Sequence, residues 1–485
     1  MVRNLYFGTP TINLLDIPLS KFNISLPKDV LNQITKNLNL NKNLLYKKIS
    51  RLNSQKNIKI STIKRNFLCK WQNGERIPID CFLLFCKLSR KNALTYQKYI
   101  TDLFLPHSKN SWKTKFPIKL DKNYFIISEA IRTEGCLIKG KNKNMVQGLA
   151  IPNKDIFLLN MIENLLTKLN INKKSVNRIL NVVLYFDNDP EIEEIIDLNS
   201  NRKMHFHYNN QRLFILDSVP DYNLKNKYKV NLKNNQSYII HVYVDKNNLV
   251  TVKSNTNSTG YITLQVYNSV FAKFLHYIFN IDYGIGNKKT YNIDFPFRIN
   301  NIPENILKSI VNTVICCEGH IRHKHRRDRA IIIKIASKEY LKKIQNILLR
   351  LGINSTIWKK TTGGLFVLRI GRRKNLVNID KNMKLYVKYK KIKLKGIVNS
   401  YLKNRFTHYE ACGNYLDMIH KYGPIDLKKL SNLTKKNYGT LMGALRRLEK
   451  QGFLKKYGKK YNGSKGTTPW IYSLSDKGKD YLKIN

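Results

Sequence analysis

Two segments of this 485-residue chain close an apolar, small-residue run with the same dipeptide: ISEAIRTEG at 127–135 and VNTVICCEG at 311–319. A carboxylate is a hard oxygen donor, and two of them side by side can share divalent cations and hold them against a phosphodiester. Glu134 and Glu318 are therefore the candidate catalytic and metal-binding residues. Bringing them together requires two helices that cross closely, which needs slim residues at the contact. Ser128, Ala130 and Thr133 supply them in one segment, and Thr313, Cys316 and Cys317 in the other. Gly135 and Gly319, counted with the metal site, let each helix turn directly into a strand, because a residue without a side chain reaches conformations that others resist. Cys316, Cys317, His320, His323 and His325 also raise a zinc reading. Adjacent cysteines diverge around a helix, however, and the histidines open a strand, so packing at the helix seam is the preferred role for the cysteines.

The elements around the glutamates recur. KDIFLLNMIENLLTKLNI and KEYLKKIQNILLRLGI place Leu169 35 residues after Glu134 and Leu351 33 residues after Glu318, each followed two residues later by isoleucine. Two copies of one helix–strand–strand–helix unit explain the pattern. In FPFRINNIPENILKSIVNTVICCEG a proline opens the approach to the second motif, and INSTIWKKTTGGLFVLRIGRRKNL reads as a hairpin followed by a helix.

Over residues 116–400 this organisation resembles the LAGLIDADG homing endonucleases, whose nine-residue signature aligns with both segments. Glu134 and Glu318 fall at its final acidic position, and Gly135 and Gly319 at its closing glycine. The resemblance implies an α+β fold of two αββαββα-like repeats forming a saddle over duplex DNA. It also implies double-strand cleavage dependent on Mg2+ or another divalent cation such as Mn2+. In the second repeat it points to His323, His325, Arg327, Arg329, Lys359, Lys360, Arg369, Arg372 and Arg373 as DNA-binding residues. In the first it points to Lys139, Lys141, Lys143, Lys288 and Lys289. A solvated charged hairpin is the plain alternative for the histidine and arginine segment. Two features depart from the family pattern: both signatures carry glutamate where aspartate is common, and the motifs lie 184 residues apart, long for a single chain. An insertion in the first repeat, near 187–255, accounts for the length, and the sequence assigns it no role.

Four domains are expected: a helical one at 1–115, the repeats at 116–300 and 301–400, and a C-terminal one at 405–485. In the first, Val30, Ile34 and Leu38, then Leu45, Ile49 and Leu52, recur at helical spacing. A helix ending at Trp71, an Asn73-Gly74 turn and a new start at Ile77-Pro78-Ile79-Asp80 suggest a helix-turn-helix, with a plain helical bundle as the alternative. The last segment reads as three helices, the third with Leu441, Leu445 and Leu448 on one stripe, then two strands around a basic Gly-rich turn and a closing helix from Asp476. It resembles the winged helix-turn-helix of bacterial and archaeal regulators. That likeness implies Lys435, Lys436, Tyr438, Thr440 and Arg446 in the major groove and Lys459, Lys460 and Lys465 on phosphates, or alternatively a protein-docking module.

Composition agrees with a polyanionic partner. Lys and Arg number 87 against 32 Asp and Glu, a net charge of +55, opposite in sign to a phosphate backbone. The chain shows no apolar run long enough for a membrane span and no signal-peptide pattern. Seven scattered cysteines support neither a disulfide framework nor a zinc ribbon. The expectation is a monomeric, cytoplasmic, site-specific double-strand DNA endonuclease with no small-molecule cofactor. It is free-standing rather than intein-embedded, since the chain opens on Met1 and ends without a His-Asn pair. A non-catalytic transcriptional regulator built on the same core is the alternative, and an intron maturase a third reading.

Overall fold

The computed structural model describes residues 11–18, 21–36, 73–106, 110–140, 146–283, 295–324, 328–360, 364–402, 408–458 and 470–484. The chain forms two compact units: Met1–Arg322 with Ala330–Leu394, and His323–Arg329 with Lys395–Asn485. No helix among the described residues is long and apolar enough to cross a membrane.

The first repeat starts with helix α1 (Lys122–Thr133), whose first turn is capped by the Asp121 side chain accepting from the Asn123 amide at 2.9 Å. Strands β1 (Cys136–Lys139) and β2 (Val146–Asn153), helix α2 (Ile156–Lys168) and strand β3 (Val176–Tyr185) follow. Seven strands then intervene: β4 (Ile192–Asp197), β5 (Arg202–Lys203), β6 (Phe206–Asn209), β7 (Arg212–Ser218), β8 (Lys225–Leu232), β9 (Ser237–Val244) and β10 (Val250–Lys253). Strand β11 (Asn257–Val266) returns antiparallel to β3, with Asn257 opposite Tyr185 and Val266 opposite Val176, and helix α3 (Ser269–Phe279) closes the repeat.

The second repeat has the same order without the intervening strands: α4 (Glu304–Glu318), β12 (Gly319–Lys324), β13 (Asp328–Ile335), α5 (Lys338–Arg350), β14 (Thr356–Lys359), β15 (Phe366–Ile370) and α6 (Arg373–Asn382). Helix α7 (Lys388–Leu402) comes next. Its sheet runs β12-β13-β15-β14, and the first repeat's runs β1-β2-β11-β3, so both put the fourth strand between the second and third. Helix α4 opens after Pro303 with Glu304 in its first turn, where the missing amide and the negative charge both suit a helix start. Every residue from Ser309 to Cys316 is buried, more than a full turn on all sides, as in a helix enclosed by protein.

The seven inserted strands divide between two sheets. β7 and β6 extend the first repeat's sheet beyond β3 to six strands, and the other five form a sheet of order β5-β4-β8-β9-β10. This second sheet lies close on β11: a Cβ at Gly260 would come within 2.6 Å of Val252 Cγ2. Tyr228, Val230, Ile240 and Val242 point into the layer between the sheets and are buried, following the period-two alternation of β8 and β9.

The N-terminal segment departs from the all-helical expectation. Helices span Lys28–Thr35 and Ile79–Leu88, but strands Asn23–Ser25, Ile77–Pro78, Asp102–Phe104 and Ser111–Lys113 form a four-stranded sheet. Leu38, Leu45, Ile49, Leu52 and the helix expected to end at Trp71 lie outside the described residues; of the suggested helix-turn-helix, the turn at Asn73-Gly74 and the second helix, Ile79–Leu88, are described. The segment also belongs to the same compact unit as the repeats. Trp112 is buried against Phe271 and Phe274 of α3, with ring centroids 5.2 and 4.8 Å apart, and its Nε1 donates to the Leu169 carbonyl at 2.8 Å. Helical periodicity reports which face of a helix is apolar but not which distant chain that face meets.

In the second unit, α8 (His408–Tyr422), β16 (Ile425–Asp426), α9 (Leu427–Thr434), α10 (Tyr438–Lys450), β17 (Leu454–Gly458), β18 (Trp470–Leu474) and α11 (Asp476–Ile484) occur in that order, with sheet order β16-β18-β17. Leu416, Ile419, Leu430, Leu441, Leu445, Leu448 and Tyr472 share its core. Lys435 at the end of α9 takes a left-handed conformation, φ +54°, and Asn437 then caps α10 by accepting from the Thr440 amide at 2.8 Å.

Candidate active site

Helices α1 and α4 pack on each other through slim residues. Ser128, Ala130 and Thr313 are fully buried and Cys316 nearly so. The hydroxyls need no partner across the seam, because each turns back on its own helix: Ser128 donates to the Phe125 carbonyl at 3.0 Å, Thr133 to Glu129 at 2.7 Å and Thr313 to Ser309 at 2.8 Å. The buried ion pair of Glu129 with Arg132, with the Tyr340 hydroxyl of α5 donating to Glu129, ties the first repeat's helix to the second repeat. Arg132 also donates to the Phe279 carbonyl at 2.6 Å. None of these three residues stood out in the sequence.

The seam brings Glu134 and Glu318 within electrostatic reach of each other. Both are half-buried. Burial raises the Glu134 carboxyl above the ordinary range, with the Lys390 charge opposing. Burial and then the Glu134 charge push Glu318 up to about 7, again against Lys390. Cys317 lies beside Glu134 and Thr133, and burial, followed by the Glu134 charge, drives its thiol well above its ordinary value. Burial pushes the Cys316 thiol up to about 11. Both thiols therefore stay protonated, as packing residues do.

The glycines serve these helix ends for a reason other than backbone freedom. Neither has a positive φ, and Gly319 sits at φ −74°, ψ 126°, which any residue adopts. What excludes a side chain is space: a Cβ at Gly319 would lie 2.4 Å from the Ile315 carbonyl oxygen, and one at Gly135 would lie 2.5 Å from that of Ala150.

Lys390 of α7 is the site's unforeseen member. It is 5% exposed, and its Nζ donates to the carbonyls of Ile315, Cys316 and Cys317 at 3.1, 2.6 and 3.2 Å. These are among the last carbonyls of α4, which lack partners within the helix and carry its negative end. Burial lowers the Lys390 pKa, with the charges around it, Glu134 and Glu318 included, opposing. Asp155, the cap of α2, also lies near Lys390. One oxygen accepts from the Leu158 amide at 2.7 Å while Oδ2 is buried without a hydrogen-bond partner, and burial chiefly raises its pKa to about 6. In the sequence Lys390 is one lysine in KYKKIKLK and Asp155 one helix cap among several. Only the fold distinguishes them.

The DNA-binding expectations scatter more widely. Arg369 and Thr356 stand opposite each other on the face of the second sheet that also carries exposed Trp358 and Lys334. Lys359 is exposed at the end of β14, on the alternate parity, and Lys360 follows it. Arg372 precedes the first turn of α6 without a side-chain capping bond, and Arg373 begins the helix. His323 is exposed on β12, whereas Arg329 of β13 stacks over the Tyr401 ring at 4.4 Å. In the first repeat Lys139 is exposed at the end of β1. The face of that sheet carrying Tyr185 and Arg212 continues through Asn181, Tyr261, Thr263 and Gln265, so it is polar and aromatic rather than lysine-rich. In the second unit Lys435, Tyr438, Thr440 and Arg446 are exposed and Lys436 is half-buried. Lys141, Lys143, Lys288, Lys289, His325, Arg327, Lys459, Lys460 and Lys465 lie outside the described residues.

Among the described residues no three of His, Cys, Asp and Glu converge as a metal-ligand set; the acidic pair stands as two carboxylates beside a buried lysine. No curated protein matches the chain. Solved structures that resemble it include the homing endonuclease I-DmoI in complex with DNA and Mn, at 10% identity and a TM-score of 0.27, covering 53% of this chain and 94% of that one. The homing endonuclease I-WcaI bound to its DNA recognition sequence aligns at 12% identity and a TM-score of 0.29, covering 56% and 87%. The N-terminal LAGLIDADG domain of DUF199/WhiA aligns at 11% and 0.22, covering 57% and 82%. At such scores these likenesses are distant. A family profile is more specific: residues 310–384, from α4 through α6, match the LAGLIDADG-like domain.

Proposed function

We propose that the chain is a site-specific, divalent-metal-dependent endonuclease that cuts both strands of duplex DNA. The observation that carries the reading is the placement of Glu134 and Glu318, half-buried and electrostatically coupled, at the ends of two packed helices over Lys390. The donor set fits a hard divalent cation. Two oxygen ligands from protein leave the remaining positions to phosphate and water, the usual provision for Mg2+. The rise of Glu318 to about 7 reflects burial first and then the neighbouring Glu134 charge, which Lys390 only partly offsets; a cation would relieve both.

Glu134 and Glu318 would hold the cation, and when bound it supplies Lewis-acid stabilisation and an activated water at neutral pH. In the hydrolysis, a water oxygen bonds to phosphorus as one P–O ester bond breaks, and the departing oxygen takes up a proton. The protein's part is positioning. The slim seam fixes the spacing of the carboxylates, Gly135 and Gly319 keep the adjoining backbone close, and Lys390 offsets negative charge from the last turn of α4. The proposed DNA surface comprises the second sheet's face with Arg369 and Lys334, and the first sheet's face with Arg212, Asn181 and Gln265. The C-terminal unit, with its αβααββα order and exposed Tyr438, Thr440 and Arg446, reads as a winged helix that adds affinity. Incubation with a randomised duplex library and Mg2+, followed by sequencing of cut ends, should recover one dominant site. Recovery of bound but uncut duplexes would instead favour a non-catalytic DNA-binding regulator, the reading to which the C-terminal unit also lends itself.

A further inference from the structure

Residues 186–256 hold nine acidic and nine basic side chains, so this stretch is neutral while the chain as a whole carries +55. Within it the charges are sorted. Asp187, Asp189 and Glu191 line a cavity of about 970 Å3 at one end of the two sheets. Lys233 also lines it, ion-paired with Glu191 at 3.0 Å, whereas Lys225, Lys227 and Lys229 gather on the outer face of the five-stranded sheet. On β8, Lys225, Lys227 and Lys229 alternate outward while Tyr228, Val230 and Leu232 point in and are buried. The register sets Lys225 opposite Tyr243, Lys227 opposite His241 and Lys229 opposite Ile239 on β9, and His241 opposite Lys253 on β10. Tyr243 and Ile239 are 40% and 49% exposed, and His241 is exposed between them. The acidic residues near this face are Glu194, ion-paired to Lys203 at 2.7 Å, and Glu193 beside it.

We propose that this outer face binds a single strand of nucleic acid, its backbone along β8 and its bases over β9. Alternate residues of a strand recur about every 7 Å, the length scale of an extended nucleotide, so Lys225, Lys227 and Lys229 form a row of cations matched to successive phosphates. One strand over, roughly 4.8 Å away, the rings of Tyr243 and His241 and the apolar Ile239 offer the stacking surface that unpaired bases use. Paired bases keep their faces inside the duplex, so a duplex gains nothing from these exposed rings. The chemistry suits DNA and RNA alike. The inference stands apart from the nuclease reading, because none of its residues belongs to the acidic site.

The test uses the full chain with 12-nucleotide 5-bromouracil-substituted single strands, one DNA and one RNA, and a duplex of the same length. After irradiation, cross-linked peptides are mapped by mass spectrometry, and affinities are measured by anisotropy at fixed salt. Adducts on the peptide bearing His241 and Tyr243 are expected with a single strand. The variant Lys225→Glu/Lys227→Glu/Tyr243→Ala should lose those adducts and bind the single strand at least tenfold more weakly, with duplex affinity and melting temperature unchanged. Preference for the DNA or the RNA strand identifies the source. Adducts confined to other segments, or a variant that retains single-strand affinity, would overturn the proposal, as would tighter binding of the duplex than of the single strand that is lost in the same variant.

Discussion

At the residue scale the acidic pair sets the sharpest expectations. Glu→Gln at position 134 or 318 keeps size and seam packing while removing the charge that would hold a cation, so each single variant should nick one strand preferentially or lose cutting altogether. The double variant should bind the selected duplex about as tightly as the parent, because carboxylates repel phosphate. Cleavage and gel-shift assays with Mg2+ check both points, and a double variant that cuts at the parental rate would remove these residues from catalysis. Asp155 makes a separate prediction in the metal-free protein. Its pKa is raised from 3.8 to about 6, so the unfolded chain ionises before the folded one does. Its contribution to stability is fully present below pH about 4, declines as pH rises toward 6, and stays low above that. Asn caps helices as well as Asp and resembles the protonated acid. Asp155→Asn should therefore stabilise the fold at pH 7 by about 1–2 kcal/mol, less than the two-unit shift alone implies, and the gain should vanish near pH 4 in urea-melting curves.

At the scale of elements, much could be read from spacing. The Glu-Gly endings and the second helices closing at Leu169 and Leu351 reveal a repeated unit because a helix must present its small and apolar residues in register to pack. The proximity of Glu134 and Glu318 was legible for the same reason, since a slim seam shared by two helices brings corresponding ends together. Lys390 was not legible, because its burial depends on α7 crossing the end of α4, and a lysine in a basic run looks like a solvated one. The N-terminal sheet was hidden too: its strands are two or three residues long and come from widely separated parts of the chain, too short to show a period. The glycines illustrate a finer limit, in that sequence marks the position but not whether conformation or space demands it. The structure answers with space, so Gly319→Ala should destabilise by about 1–3 kcal/mol, in the range of overpacking against backbone that cannot easily yield. Thermal unfolding would measure this, and a shift below 1 °C would show that the end of α4 relaxes freely.

At the scale of the whole molecule the charge of +55 predicts duplex binding dominated by phosphate contacts, with a linear fall of log affinity against log salt. Between roughly 50 and 200 mM salt a protein making several phosphate contacts loses orders of magnitude in affinity. A flat titration would mean the surplus lysines are not at the interface. The outer face of the five-stranded sheet, within the neutral stretch between β3 and β11, should add nothing to that slope for duplex DNA, so Lys225→Glu/Lys227→Glu should leave it unchanged. The same stretch also governs the order in which the chain can assemble as it is synthesised. β3 emerges long before its partner β11, and for that interval one of its edges would be a bare template for another chain. β7 arrives sooner and pairs with the other edge of β3 from Arg212–Tyr185 to Ser218–Ile179, closing over 26 intervening residues where β11 must close over 71. Once the remaining strands have stacked, they deliver residue 257 next to residue 185, so β11 adds to an edge already waiting beside it. By this ordering α3, the last helix of that repeat, would dock only after the added strands had folded.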